Sequence, residues 1–486
     1  MSFDLGDELL KLQQAKEAKW QGKAPLRMMS NQSKGEKRKP EKQDKPSEIQ
    51  RSFIKFDDGR IAEQIYNPRL ISPHQYIINN NGQLEYLPQI ALMNNIYIPA
   101  GKELVEKGVV LLPSEPIEYV NDRHLFDEIQ TFIHRYLDVS LFHEQLSVLY
   151  AKYSWIHDQY TVASYLRARG DYGTGKSRLL QTVGAIAYKP MFCGGSTSSS
   201  SIFRLIEMFK GTLILDEADF KNTDLYIDII KILNQGYMQG LYVLRTEKDG
   251  QKWEPKPYDV YGCKVIATRK KYQDQALESR MFTIEMESTK RKDVPLVLTA
   301  DFWEEAQIIR NKLLVWRFKH YGKAQIKTEH IIAGIENRLN QIIMPILSIT
   351  DEQALINDIK ESVREYQKEM VKDRGLDLEA TILEAIVNLK PLKDHERTLK
   401  VVAEEANNLL GHANTDKLTP KKVGKINRDS LKLKTARRMD GYYIIWDDKK
   451  IKALGEKYGL TELLEQDRKI SDYDNSMVAN PDLKLP

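Results

Sequence analysis

The run G-D-Y-G-T-G-K-S, Gly170 through Ser177, constrains this chain more than any other feature. The strand-like stretch V-A-S-Y-L-R-A-R leads into it, and R-L-L-Q-T-V-G-A-I-A reads as a helix after it. Gly170, Gly173 and Gly175 let the backbone wrap an anion, with its N–H groups pointing inward at the positive end of a helix. Thr174 sits inside the loop, Lys176 brings a point charge for β- and γ-phosphates, and the Ser177 hydroxyl suits Mg²⁺. A strand, a G-x-x-x-x-G-K-S loop and a helix in that order form a phosphate cradle, so ATP and Mg²⁺ are the expected ligands.

A second signal lies about forty residues on, in G-T-L-I-L-D-E-A-D, Gly211 to Asp219. A buried parallel strand reads as a continuous apolar run, and this one ends in Asp216-Glu217. Carboxylates at strand ends in an open α/β sheet lie in the ligand crevice. Asp216 is expected to hold Mg²⁺ through water, and Glu217 to orient and deprotonate an attacking water. Asp219 fits an exposed position better. A third strand, Y-G-C-K-V-I-A-T, ends at Thr268, whose hydroxyl can meet the γ-phosphate or that water.

From about Leu141 to Ser348 these segments resemble the AAA+ ATPases, most closely those encoded by phages and integrative mobile elements. The resemblance implies that Thr268 is the sensor-1 residue, in place of the more usual Asn. It implies that Arg280, in Q-D-Q-A-L-E-S-R-M-F, enters a neighbouring subunit's site as an arginine finger, as in MCM-like helicases; the alternative is a local salt bridge. It makes Arg338, in I-E-N-R-L-N-Q-I-I-M, the sensor-2 candidate of a helical lid that contacts nucleotide. Between the motifs, G-G-S-T-S-S-S-S-I-F-R-L-I and I-L-N-Q-G-Y-M-Q-G also fit that group.

Two further segments carry cations in patterns that suit DNA. L-Y-V-L-R-T-E-K-D-G-Q-K-W-E-P-K-P-Y alternates around Asp249-Gly250 as a hairpin. It bears Arg245, Lys248, Lys252, Lys256 and Trp253. In MCM-like and viral hexameric helicases a hairpin at this place enters the central channel, where cations meet phosphates and an aromatic ring stacks on a base. Toward the C-terminus, helices over Leu378–Leu389 and Leu399–Leu410 precede a third, capped by Thr419 with Pro420 at its first position. A hairpin near Asp440-Gly441 follows. This resembles a winged helix-turn-helix, and Lys421, Lys422, Lys425, Arg428, Lys432, Lys434, Arg437 and Arg438 fall on its third helix and wing. Such a surface enters a DNA groove, although winged helices also dock proteins.

The expected fold is therefore α/β: a P-loop core with leading helices over 122–288 and an α-helical lid over 289–374. A small β-rich domain over 52–121 precedes the core, and a winged helix over 375–460 follows the lid. A Lys- and Pro-rich segment, 1–51, is expected to be a flexible tether, and 461–486 a tail. Apolar residues at 41%, charged residues at 29% and a mean hydropathy of −0.51 exclude an integral membrane protein and a wholly disordered one. With no basic-then-apolar leader, a cytoplasmic protein without membrane contact is expected. Cys193 and Cys263 are the two cysteines and form neither a disulfide framework nor a zinc ribbon. The net charge of +4 is too mild to establish a nucleic-acid partner by itself. The function expected is ATP-driven DNA translocation or unwinding by a homo-oligomeric ring, a hexamer, in replication of a phage or mobile element. An ATP-switched initiator or helicase loader and a protein remodeller stand as alternatives.

Overall fold

In the computed structural model the described residues are 47–80, 82–216, 224–249, 252–272, 274–375, 378–410, 417–439, 441–461 and 464. Glu217, Asp219, Gly250, Asp440, the tether through 46 and nearly all of the tail lie outside them. The residues after position 47 build two small sheets. One has four strands, β2 (Phe53–Lys55), β3 (Ile61–Tyr66), β4 (His74–Asn80) and β5 (Gln83–Leu87), paired in that order. The other orders β1 (Ser47–Arg51), β7 (Asn95–Pro99) and β6 (Ile90–Leu92). Residues 47–51 were expected to belong to the tether. Their side chains are mostly exposed, so they carry no apolar signal, and backbone pairing with β7 recruits them. The apolar run G-V-V-L-L-P reads as a strand, yet it makes a single bridge from Val110 to Met191 while Val110 and Leu112 pack in the core.

The β-rich segment is not free-standing. Ile54, Ala62, Tyr76, Ile78 and Ile90 form a small cluster of their own. Ile65 and Ile77 belong instead to the large core that continues as far as Tyr366. A buried ionic knot reinforces this union. The Glu63 carboxylate meets Lys189 Nζ at 2.7 Å and Arg317 Nε at 2.6 Å, and accepts from the Tyr188 hydroxyl at 2.9 Å. Asp158 takes the other edge of Arg317 at 2.9 Å. Glu63→Ala would leave two cations buried with reduced compensation. It is expected to cost about 3–5 kcal/mol, read as a lowered denaturation midpoint in urea.

After the short α1 (Lys102–Glu106) come α2 (Asp122–Tyr136) and α3 (Leu141–Ser154), N-capped by the side chains of Asn121 and Ser140. Then strands and helices alternate. They run β8 (Tyr165–Arg169), α4 (Lys176–Ile186), β9 (Met191–Cys193), α5 (Ser199–Phe209), β10 (Leu213–Leu215) and α6 (Asp224–Gln235). An antiparallel ribbon, β11 (Tyr242–Asp249) and β12 (Lys252–Asp259), precedes β13 (Lys264–Thr268), α7 (Gln275–Glu278) and β14 (Met281–Glu285). The five strands other than the ribbon form one parallel sheet, in the order β14-β8-β13-β10-β9. β10 and β13 are wholly buried, which is why L-I-L and the centre of K-V-I-A-T read as apolar runs. The chain is thus a mixed α/β protein with a parallel sheet. Both cysteines are buried in it, and burial pushes each thiol up to about 12, away from nucleophilic use.

Helices α8 (Ala300–His320), α9 (Asn337–Leu347) and α10 (Gln353–Gly375) follow, and no described helix is long and apolar enough to cross a membrane. The C-terminal part has a separate core that includes Leu383, Val402, Val423, Ile444 and Ile451. Its elements are α11 (Leu378–Asn388), α12 (Leu399–Leu410), α13 (Pro420–Ile426), β15 (Thr435–Arg438), β16 (Gly441–Ile444) and α14 (Asp448–Tyr458). Thr419 caps α13 by accepting from Lys422 N at 3.3 Å. The third helix is shorter than its sequence suggests. It passes into a π turn over Asn427–Leu431 and stops where Lys432 takes φ +55°. There the Asn427 amide closes the end, exchanging hydrogen bonds with the Leu433 backbone at 3.0 and 3.2 Å. Helix α14 goes beyond the expected three helices and wing. Its signal was present in Ile451, Leu454 and Tyr458, spaced along one face behind the Asp447 cap.

Candidate functional site

The phosphate-loop candidate leaves the carboxyl end of β8 and opens α4. Gly170 is required by close approach: a Cβ there would sit 2.5 Å from the Met286 carbonyl oxygen. Gly173 and Gly175 take φ +75° and +89°, a region that side chains disfavour. A Cβ on Gly173 would meet nothing within 4 Å, so the loop borders open space. The Thr174 hydroxyl donates to the Asp171 carbonyl at 2.9 Å and braces the turn, and Lys176 Nζ folds over the same carbonyl. Asp216, just past β10, accepts from the Ser177 hydroxyl at 2.8 Å. The structure therefore brings together two oxygens that the sequence separates by 39 positions. Hard oxygen donors of this kind, few in number, suit an ion that keeps most of its waters, as Mg²⁺ does.

Thr268 ends β13, between β8 and β10, in register with Arg169. It is 1% exposed, and its hydroxyl oxygen has no hydrogen-bond partner among the described residues. A buried hydroxyl left in that state is costly unless something else completes it. Glu217, the expected base, follows Asp216 directly and lies outside the described residues.

Arg280 and Arg338 gather elsewhere. The Arg280 carbonyl accepts from Tyr165 N at 3.1 Å, so Arg280 stands at the amino end of the sheet. Five strand residues at ~3.3 Å each separate that level from Gly170, roughly 17 Å. The Arg280 guanidinium lies 4.1 Å from the Tyr237 ring centre and donates to Asn234 Oδ1, while its Nε is buried without a partner among the described residues. Arg338, expected to contact nucleotide, lies 5.4 Å from the same ring and donates to Gln341. It is thus grouped with Arg280 around the Tyr237 ring. Nothing local marks Tyr237 as the shared platform, since it comes to both arginines only through the tertiary fold.

The ribbon has two unlike faces. Cross-strand partners share a face, so Tyr242, Leu244, Thr246 and Lys248 stand beside Asp259, Pro257, Pro255 and Trp253. This is the open face, with Leu244 69% and Trp253 68% exposed. On the other face Val243 and Tyr258 are buried against the body. Arg245, expected to bind DNA, is tied down there. It meets Asp228 at 3.0 Å and Ser199 at 3.2 Å, and lies 4.7 Å from the Phe203 ring centre. Burial works against the Asp228 charge, but hydrogen bonds from Ser199 and Lys231 and the Arg245 charge hold its carboxyl below the usual range. Lys248 and Lys252 are exposed near the tip, and the structure records no ion pair for either among the described residues. In the C-terminal part Lys421, Lys422, Lys425, Arg428, Arg437 and Arg438 are all exposed on α13, the π turn and β15. Arg437 lies 5.8 Å from the Tyr442 ring centre.

No family model matches the chain, and no curated protein does. Among solved structures, the chain is similar to the C-terminal region of NrS-1 in its A form without ligand. Identity is 13% and the TM-score 0.34, over 79% of this chain and 96% of that one. It is also similar to JCV helicase bound to a thiazolopyridine-phenoxyphenyl acetamide, at 12% identity and a TM-score of 0.25, over 50% of this chain and 61% of that one.

Proposed function

We propose that this chain is an ATP-hydrolysing DNA translocase or helicase with an AAA+ P-loop core and a C-terminal winged helix. It would work as a hexameric ring in replication of a phage or mobile element. The observation that carries the reading is the Ser177–Asp216 hydrogen bond of 2.8 Å beside a glycine-lined loop at the carboxyl ends of a parallel sheet. In this reading the loop's N–H groups and Lys176 hold the β- and γ-phosphates, and Ser177 and Asp216 hold Mg²⁺. Mg²⁺, when bound, neutralises charge on the phosphate oxygens. Glu217 takes the proton of the attacking water, and the unpartnered Thr268 hydroxyl is free to fix that water or the γ-phosphate. Arg280 and Arg338 serve the site of a neighbouring copy, which the distance to their own loop favours.

DNA contact is assigned to the ribbon's open face and tip, through Lys248, Lys252 and Trp253, and to the basic surface of α13 and the wing. The test is the ATPase rate with no DNA, with single strands and with forks, together with strand displacement. Hydrolysis that requires Mg²⁺, rises on single strands and separates forks is expected. Slow hydrolysis indifferent to DNA, without displacement, would favour the switch of an initiator or loader. Lys248→Ala and Lys252→Ala should each flatten the salt dependence of single-strand binding by ~0.7 log units. Lys421→Ala, Lys425→Ala and Arg428→Ala should act on duplex instead, at ~0.9 each. Trp253→Ala should cost about 1–3 kcal/mol of single-strand affinity where a base stacks on the ring.

A further inference from the structure

One carboxylate outside the loop ties together the segments that flank it. Asp373 lies in the last turn of α10. Its Oδ2 meets Arg169 Nη2 at 3.1 Å and Lys271 Nζ at 2.9 Å. Arg169 is the residue before Gly170, and Lys271 follows closely on Thr268. One oxygen therefore links the entry to the phosphate loop with the segment leaving β13. Glu285, at the end of β14, holds the same guanidinium from another side at 2.7 Å. Burial works against the Asp373 charge, but hydrogen bonds from Lys271 and Arg169 hold its carboxyl below the usual range, so it stays ionised at neutral pH.

The position of Asp373 along the chain matters as much as its partners. Helix α10 ends at Gly375 and α11 opens the C-terminal domain at Leu378. That domain has its own core, so it can shift without opening the apolar interior around the sheet. A cleft of about 890 Å³ runs between β14, α10 and α14, with Arg169, Lys271, Asp373 and Lys457 among its lining. Polar ties cross this region: Arg374 pairs with Glu336, and Lys457 donates to Gln275 at 3.0 Å. Of the charged contacts that α10 makes, those of Asp373 reach the residue that enters the loop.

We propose that Asp373 is a positioning residue of the nucleotide site, through which the C-terminal domain's engagement with duplex DNA reaches the phosphate loop. The inference rests on the nucleotide reading above. With Asp373 in place, Arg169 and Lys271 are drawn to one oxygen and the loop entry is fixed against the Thr268 segment. Without it, Arg169 keeps Glu285 but the shared tie to the Lys271 segment is lost. Ion pairs this exposed are worth about a two- to fivefold change in an equilibrium.

The experiment uses the full chain, with Asp373→Asn to remove the charge and Asp373→Glu to restore it. ATP affinity is measured with a fluorescent ATP analogue, hydrolysis by KM and kcat, and both are repeated across a titration of blunt duplex DNA. In Asp373→Asn, KM is expected to rise roughly two- to fivefold, with kcat and the melting temperature unchanged. Its KM should no longer respond to duplex, and Asp373→Glu should recover that response. A parent whose KM ignores duplex, an Asp373→Asn variant that responds as the parent does, or a loss of kcat and melting temperature together would each overturn the proposal. If the parent binds and hydrolyses ATP and only the variant's behaviour disagrees, the nucleotide reading stands and the role of Asp373 falls. A parent that binds no ATP removes both.

Discussion

Glu217→Gln is expected to bind ATP as the parent does and to hydrolyse it ~10²–10⁴-fold more slowly. The substitution removes the proposed base and leaves the proposed cradle untouched, because that cradle consists of Gly170–Ser177 and not of the acidic segment. Lys176→Ala should fail earlier, at binding, since the only side-chain ammonium in the loop is lost. Equilibrium binding of a fluorescent ATP analogue beside single-turnover hydrolysis separates the two outcomes. Unimpaired hydrolysis in Glu217→Gln would refute its assignment as base. Equal binding by Lys176→Ala and the parent would count against the loop itself.

Arg280→Ala should lower turnover by ~10³–10⁵, the range that arginine fingers supply, with ATP binding retained. Its position at the amino end of the sheet gives the experiment a second arm. A residue that acts on a neighbour's nucleotide can be complemented by a chain with an intact arginine and a broken loop. Mixing inactive Arg280→Ala with inactive Lys176→Ala protein should restore part of the activity, because some interfaces then pair a sound loop with a sound arginine. If mixtures stay inactive while subunit exchange is demonstrated, Arg280 is a structural residue. The contacts with Asn234 and the Tyr237 ring show what that structural role would be. A fall in melting temperature alongside the activity would then accompany Arg280→Ala.

How much of this was legible in the sequence depends on how local each feature is. Gly170, Lys176 and Ser177 lie within one short loop, so spacing alone brings them into view. The pairing of Ser177 with Asp216 was readable because apolar runs mark buried strands, and strands of a parallel sheet end on a common side. The ribbon was readable as a ribbon, but not which face is open. That is set by Phe203 and Asp228 on helices packed beneath it, and it places Arg245 inward. Arg338 sat on a recognisable helix, yet its partner is a tyrosine about a hundred positions away in the chain. Strand β1 was hidden because its side chains are exposed and only its backbone contributes. The end of the third C-terminal helix depends on a side-chain amide bridging to Leu433, a contact no propensity scale contains.

The prolines of the ribbon bear on how a ring of these chains would behave as a machine. Pro255 and Pro257 face Thr246 and Leu244, and a residue without an N–H can occupy such a position only where its missing donor points away from β11. The outer rim of β12 therefore lacks donors at alternate positions and makes a poor template for another strand. Ribbons brought close around a common axis could not zip into a continuous sheet. In the proposed ring each would remain a separate finger, not bound edge to edge to its neighbours.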